Sequence, residues 1–286
     1  MKSFSEYVGE IRRIAHEGRG IPVGQPVPRR AEKPAPDAGT VLIFSPHPDD
    51  ECITGALPLR LRHDCGMRIV NVAVTLGSRK DRRDGRLEEL RASCGVLGFG
   101  LVETQPGGLE HINREGKAGR PAEWAAAVSR IESILRDHQP TVILLPHGAD
   151  ANTTHIGTHD LVLEGLARMP SDWDCLVVLT EFWHPLANPN LMVAVPPGDL
   201  VLLMEALSQH VGEIERNPYH LTLPFWMRDN VRRGGELVGT QGGAAPAFDF
   251  AVLYRVEARR NGALCPAWDG GRILSEEDDA GLVLQY

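Results

Sequence analysis

Apolar positions along this chain alternate between two rhythms. Segments 41–45, 67–75, 101–104, 141–145 and 175–180 are short, nearly continuous apolar runs, the pattern of strands covered on both faces. Between them, 51–63, 83–97, 123–137 and 155–169 carry apolar residues at helical spacing. Strand and helix in turn predict βαβ units, and hence an α/β fold with a Rossmann-like, mostly parallel sheet covered by helices.

The two ends depart from this rhythm. Phe4, Tyr7, Val8, Ile11 and Ile14 recur at helical spacing and predict a short amphipathic helix that packs on the main domain or on a partner subunit. Segment 18–39 is rich in Gly, Pro and Arg and reads as an extended connector. The expected division is therefore 1–39 as helix and linker and 40–286 as the catalytic domain. Within that domain, 182–286 is an appended subregion that walls the site, with a helix over 200–211, a strand over 248–256 and a loop over 234–243. The stretch Gly239-Thr240-Gln241-Gly242-Gly243 lacks the lysine of a phosphate-binding fingerprint and is given a structural role.

A formal net charge of -8 argues against a protein that tracks nucleic-acid phosphates, and points instead to a small-molecule substrate. No run reaches the roughly 18 apolar residues needed to cross a bilayer, and the N-terminus has no apolar signal region, so no membrane partner and a cytoplasmic location are expected. The cysteines at 52, 65, 94, 175 and 265 show no C-x-x-C spacing and read as reduced and structural.

Chemistry in an open α/β sheet is expected just after the strands. The first apolar run leads into Pro46-His47-Pro48-Asp49-Asp50-Glu51, and the fourth leads into a loop holding His147, Asp150, His155 and His159. Imidazole and carboxylate suit zinc, and a catalytic zinc takes three protein ligands and leaves a place for water. His47 and one of the two aspartates can supply two ligands, leaving the other carboxylate to accept a proton. The competing reading is that Asp49 or Asp50 only caps the following helix. His155 and His159 stand four apart on one helical face, so that one can bind metal while the other works on substrate. Arg79, Arg82 and Arg83 can reach a substrate from the loop after Gly77. Glu181, Trp183 and His184 follow the fifth run, where Trp183 offers an aromatic face to a sugar ring. His147 and Asp150 are expected in the wall around the ligands.

These residues resemble the PIG-L or LmbE-like zinc deacetylases. The likeness lies in 43–55 with His47, Asp49, Asp50 and Glu51, and in Thr75-Leu76-Gly77 followed by Arg86, Glu89, Leu90 and Leu97-Gly98; it extends over about 40–184. The resemblance implies an LmbE-like fold and one zinc or other divalent metal per chain, held by His47, Asp50 and His159. It further implies Asp49 as general base toward metal-activated water, and His155 as the group that polarises the carbonyl or protonates the amine. His159 is preferred as ligand because it immediately precedes the apolar helix, although the family usually spaces its two histidines by three. The implied activity is removal of acetyl from an N-acetylated sugar or sugar conjugate; Arg79, Arg83, Trp183 and His184 are the expected substrate contacts from their places after Gly77 and the fifth run, and the N-terminal helix allows a homo-oligomer. The alternatives are another amidase, such as one acting on a thiol conjugate, and a zinc-containing sugar-binding protein without turnover. Pro106-Gly107-Gly108, where the family often has Asp, and Thr153, where some members have Tyr, set its sugar contacts apart.

Overall fold

In the computed structural model, which describes residues 3–30, 34–35, 37–239, 242 and 244–286, the apolar runs become the centre of one sheet. Its strands are β1 (Thr40–Ser45), β2 (Arg68–Ala73), β3 (Gly100–Glu103), β4 (Val142–Pro146), β5 (Cys175–Thr180), β6 (Leu191–Ala194), β7 (Ala251–Arg260), β8 (Ala263–Pro266) and β9 (Arg272–Leu274). The helices are α1 (Phe4–Glu17), α2 (Asp50–Ile53), α3 (Ala56–Cys65), α4 (Arg83–Leu97), α5 (Arg114–Gly119), α6 (Pro121–His138), α7 (Thr153–Ala167), α8 (Pro197–Leu207), α9 (Val211–Ile214) and α10 (Tyr219–Leu237).

The sheet order is β3-β2-β1-β4-β5-β7-β6-β9, with β8 on β7. The first five of these are parallel, as expected from the βαβ rhythm. Strand β7 then runs antiparallel to β5 and β6. Because side chains alternate across a strand, Val41 and Ile43 face one apolar layer with Leu59, Leu90 and Leu203, while Leu42 and Phe44 face the other with Ile131, Leu135 and Leu161. After β3 the chain crosses to the far side of β1 to form β4. The C-terminal ends of β1 and β4 thus border the crevice where strand order reverses.

Several expected elements shift. The helix expected over 51–63 is broken into α2 and α3, because Gly55 closes the turn: a Cβ there would lie 2.7 Å from both Glu51 O and Leu203 Cδ2. The buried Tyr254 hydroxyl secures this break, donating to Thr54 O at 2.7 Å and accepting from Leu57 N at 3.0 Å. The loop expected over 234–243 begins late, since α10 continues through Gly234 and Gly235 to Leu237; residues 240, 241 and 243 lie outside the described residues. Gly234 serves packing, for a Cβ there would stand 2.3 Å from Met192 Sδ. The connector after α1 is tied to the body through Gly24 N to Ser208 O, Arg30 N to Gly95 O and Ala35 N to Gly66 O. All five cysteines are free. Among the described residues, no helix is long and apolar enough to cross a membrane.

Candidate metal centre and active site

Strand β1 ends at Ser45, and the chain turns at once into the first turn of α2. Asp50 opens that helix, but its carboxylate turns back to accept from the His47 backbone N–H at 2.8 Å. This bond brings the Asp50 Oδ2 within 3.5 Å of His47 Nδ1. On the other side of the crevice, Asn152 caps α7, its side chain accepting from Thr154 N and His155 N. The cap starts the helix so that the buried His155 points Nε2 at the same place, 3.2 Å from His47 Nδ1 and 3.5 Å from Asp50 Oδ2. Two ring nitrogens and a carboxylate oxygen therefore converge, each within 4.8 Å of the others.

The residues present fit a metal. Two imidazole nitrogens 3.2 Å apart, with a carboxylate oxygen 3.5 Å from each, stand at separations that neighbouring ligands of one ion can adopt. Burial pushes the His155 imidazole below its ordinary value, favouring the neutral form that ligates. Burial alone would raise the Asp50 carboxyl, but His155 and His47 hold it low. Among the described residues, His155 Nδ1 has no hydrogen-bond partner; it faces Asp150 Oδ1 at 3.7 Å, with both side chains at 0% exposure. Asp150 itself is fixed by Asn152 N at 2.8 Å and Trp183 N at 3.2 Å. The donor set, with carboxylate support behind one imidazole, suits zinc and other divalent ions of similar preference.

Asp49 stands beside this cluster. It occupies the cap position of α2, yet its side chain makes no capping bond, so the capping role does not account for it. Its φ of 111° lies in the left-handed region, a strained conformation for a non-glycine residue. Burial, and then the neighbouring Asp50, raise its carboxyl well above the ordinary range, while Arg86 pulls it down.

His159 was expected as the third ligand and His155 as its catalytic neighbour; the geometry instead brings His155 to His47 and Asp50 and places His159 away from them. One turn further along α7, His159 pairs its Nδ1 with Pro146 O at 2.8 Å and faces a separate hollow with His147 and His184. Four residues along a helix advance more than a full turn, so only the first histidine reaches the crevice. His184 lies in that hollow too, away from the cluster. Arg79 is exposed and paired with Asp81 at 2.6 Å rather than aimed at the cleft. Glu181 is spent on Arg233 at 2.6 Å and on Leu186 N at 2.7 Å.

Arg83 and Trp183 do line the cleft, which has a volume of about 500 Å³ and holds His47, Asp49 and Asp50. Arg83 is anchored by Glu110 at 2.5 Å, and Arg86 donates to Pro48 O at 3.0 Å. Trp183 meets Tyr219 edge to face with ring centroids 5.5 Å apart. Glu213, Arg216 and Tyr219, from the segment around α9 and the start of α10, complete the wall and were absent from the sequence reading. Nothing in their local pattern marks them, since they reach the cleft only through the packing of α10 and α8 beside the sheet. Gly108, at φ +73°, lets another wall segment cross close to the backbone: a Cβ would meet Leu76 N at 2.8 Å.

Residues 42–166 match the family described as PIG-L: GlcNAc-PI de-N-acetylase. No curated protein matches the chain in sequence. Among solved structures, the N,N'-diacetylchitobiose deacetylase of Pyrococcus horikoshii is 18% identical with a TM-score of 0.56, over 90% of this chain and 93% of that one. A zinc-inhibited form of the teicoplanin deacetylase Orf2 is 13% identical with a TM-score of 0.56, over 80% and 100%. GalB, a 4-carboxy-2-hydroxymuconate hydratase from Pseudomonas putida KT2440, is 16% identical with a TM-score of 0.60, over 76% and 95%. At these identities the likeness establishes a shared fold.

Proposed function

From the premise that residues 42–166 carry a PIG-L family domain, we propose that the protein is a metal-dependent N-deacetylase acting on an N-acetylated sugar or sugar conjugate. The observation that carries this reading is the placing of the Asp49 carboxylate beside the convergent His47, Asp50 and His155, at the floor of a cleft of about 500 Å³. His47, Asp50 and His155 are the residues to hold the metal, with zinc first among the ions that suit them. When bound, a divalent ion supplies Lewis acidity to water and to a carbonyl oxygen.

The chain's own residues do the rest. Asp49 accepts the proton as water attacks the acetamide carbon, and its raised affinity for protons suits it to that exchange. The proton passes on to the leaving nitrogen, so that amide and water give acetate and free amine. His155 is taken up as a metal ligand in this reading, and Arg86, Asn152 and Tyr219 are among the cleft residues able to donate to the carbonyl oxygen. Trp183 and Tyr219 offer apolar ring faces of the kind that pack against a pyranose.

The hydratase activity of GalB favours one second reading, a hydratase using the same centre to add water to an unsaturated acid. The deciding experiment measures bound metal together with acetate release from N-acetylglucosamine, its oligomers and N-acetylglucosaminyl conjugates, before and after chelation. About one metal per chain and acetate release that chelation abolishes and metal restores are expected. A chelated, metal-free protein with full acetate release would overturn the proposal. Bound metal without acetate release, but with hydration of an unsaturated dicarboxylate, would establish the second reading.

A further inference from the structure

Behind the metal cluster lies a second buried group of polar side chains. Glu51, at 0% exposure, uses one carboxylate oxygen to accept from the Asp49 backbone N–H at 3.0 Å. Its other oxygen accepts from Ser93 Oγ at 2.6 Å, from His210 Nε2 at 2.8 Å and from Cys52 Sγ at 3.3 Å. Glu51, Cys52 and His210 could by their atom types hold an ion. The atoms that face one another are paired instead: the Glu51 oxygens are already taken up by donors and the group lies sealed from solvent, while among the described residues His210 Nδ1 has no hydrogen-bond partner. This arrangement has the form of a brace.

The brace joins three parts of the chain. Glu51 belongs to α2, Ser93 to α4, and His210 to the turn between α8 and α9, some 40 residues beyond the PIG-L match at 42–166. What it holds is Asp49, whose backbone sits at φ 111°. A non-glycine residue keeps such a conformation only where its surroundings over-determine it. The bond from Asp49 N to Glu51 fixes this peptide together with Arg86 to Pro48 O at 3.0 Å and Cys52 N to Asp49 O at 3.1 Å, and the direction of the Glu51 carboxylate is in turn set by His210 and Ser93.

We propose that His210 is a positioning residue for the reaction, which through Glu51 holds Asp49 in its left-handed conformation with the carboxylate at the metal cluster. This rests on the reading of Asp49 as the proton acceptor. His210 touches neither substrate nor metal ligand in this arrangement. Its Nε2–H donates to Glu51, while its own backbone is held by Leu207 O at 3.1 Å and accepts from Glu213 N at 2.9 Å. The cleft wall residue Glu213 and the brace therefore belong to one hydrogen-bonded turn of chain. A small misplacement of a catalytic group costs about a hundredfold in rate even when binding is kept, and a loosened Asp49 is a misplacement of that kind.

The test compares His210→Ala, His210→Gln, Glu51→Gln and Asp49→Asn with wild type, each loaded with metal. It reads kcat and KM for acetate release from N-acetylglucosamine oligomers, metal bound per chain and, for His210→Ala, the Asp49 backbone in a crystal structure. For His210→Ala a fall in kcat of about 10- to 100-fold is expected, with KM within about twofold, metal content unchanged and Asp49 out of its left-handed conformation. The side-chain amide of His210→Gln can still donate to Glu51 and is expected to recover kcat to within about threefold. In Glu51→Gln an amide donor replaces an acceptor among donors, so the kcat loss returns. A His210→Ala protein with kcat within about twofold of wild type, while Asp49→Asn is inactive, overturns the brace. If the alanine variant does not fold, equal kcat values for His210→Gln and Glu51→Gln overturn it as well. An Asp49→Asn protein that releases acetate at the wild-type rate instead overturns the reading beneath.

Discussion

The proposed third ligand shows most directly what a single residue decides. His155 and His159 share a helix and a side-chain type, yet the cap at Asn152 fixes where α7 starts and so which imidazole enters the crevice. His155→Ala is therefore expected to bring bound metal from about one per chain to near zero, read by elemental analysis. His159→Ala should keep the metal and lose about 1 kcal/mol of stability with its bond to Pro146 O; full metal loss in this variant would return the ligand role to His159. The first loop was legible because its donor types are adjacent in sequence, His47 next to the two carboxylates. The second was not, because a spacing of four satisfies helical facing equally for either histidine. Gly157 is a further residue whose role is invisible in the sequence: a Cβ there would meet Ile112 O at 2.3 Å and Asn113 N at 2.6 Å. Since backbone does not yield easily, Gly157→Ala should destabilise by about 1–3 kcal/mol in denaturant unfolding.

Among the elements, those with an undisturbed rhythm were the ones foreseen. Helix α4 and strand β5 fall where the apolar pattern places them, and α6 and β4 do so within a residue or two. The break between α2 and α3 was hidden because its cause is a tyrosine almost 200 residues away in sequence, donating to Thr54 O and receiving from Leu57 N. Tyr254→Phe removes both bonds inside the core and should cost about 1–3 kcal/mol, measured by chemical denaturation; an unchanged midpoint would show that the break stands without it. Helix α10 was hidden by Pro224 inside it and by the glycines at its end. Missing that helix meant missing Tyr219, and with it the aromatic wall. Trp183 stands on the loop after β5, 48% exposed at the rim. Trp183→Ala should raise KM for a sugar amide about 2- to 10-fold with little change in kcat, in line with the worth of one aromatic contact. A fall in kcat at constant KM would move Trp183 from substrate wall to structural support.

At the scale of the whole molecule, a Rossmann-like parallel half with an antiparallel extension divides the work. The parallel half presents His47, Asp49, Asp50 and His155 at the ends of β1 and β4, while the later chain supplies walls and supports. Buried Arg60 binds this later part back to α3 by donating to Ala194 O, Ser275 O and Asp278 O. Helix α1 stands apart from that scheme, with no buried residue and with Phe4 at 91% exposure. Removing residues 1–17 should leave kcat, KM and metal content unchanged, because none of α1 lines the cleft. A drop in activity on truncation would place this helix in an assembly that the site needs.

The distance along the chain between ligands and supports also bears on how the protein comes into being. All three residues proposed to hold the metal have left the ribosome's decoding centre by position 155, whereas the partner of Glu51 is added at position 210 and the tyrosine that fixes the α2–α3 break at position 254. A chain cut short between those points carries every group needed to grip an ion but lacks the groups that hold Asp49 and α2 in place. The residues proposed to hold an ion are thus all synthesised well before those that hold Asp49 and α2 in place, so the arrangement at Asp49 waits for nearly the whole polypeptide.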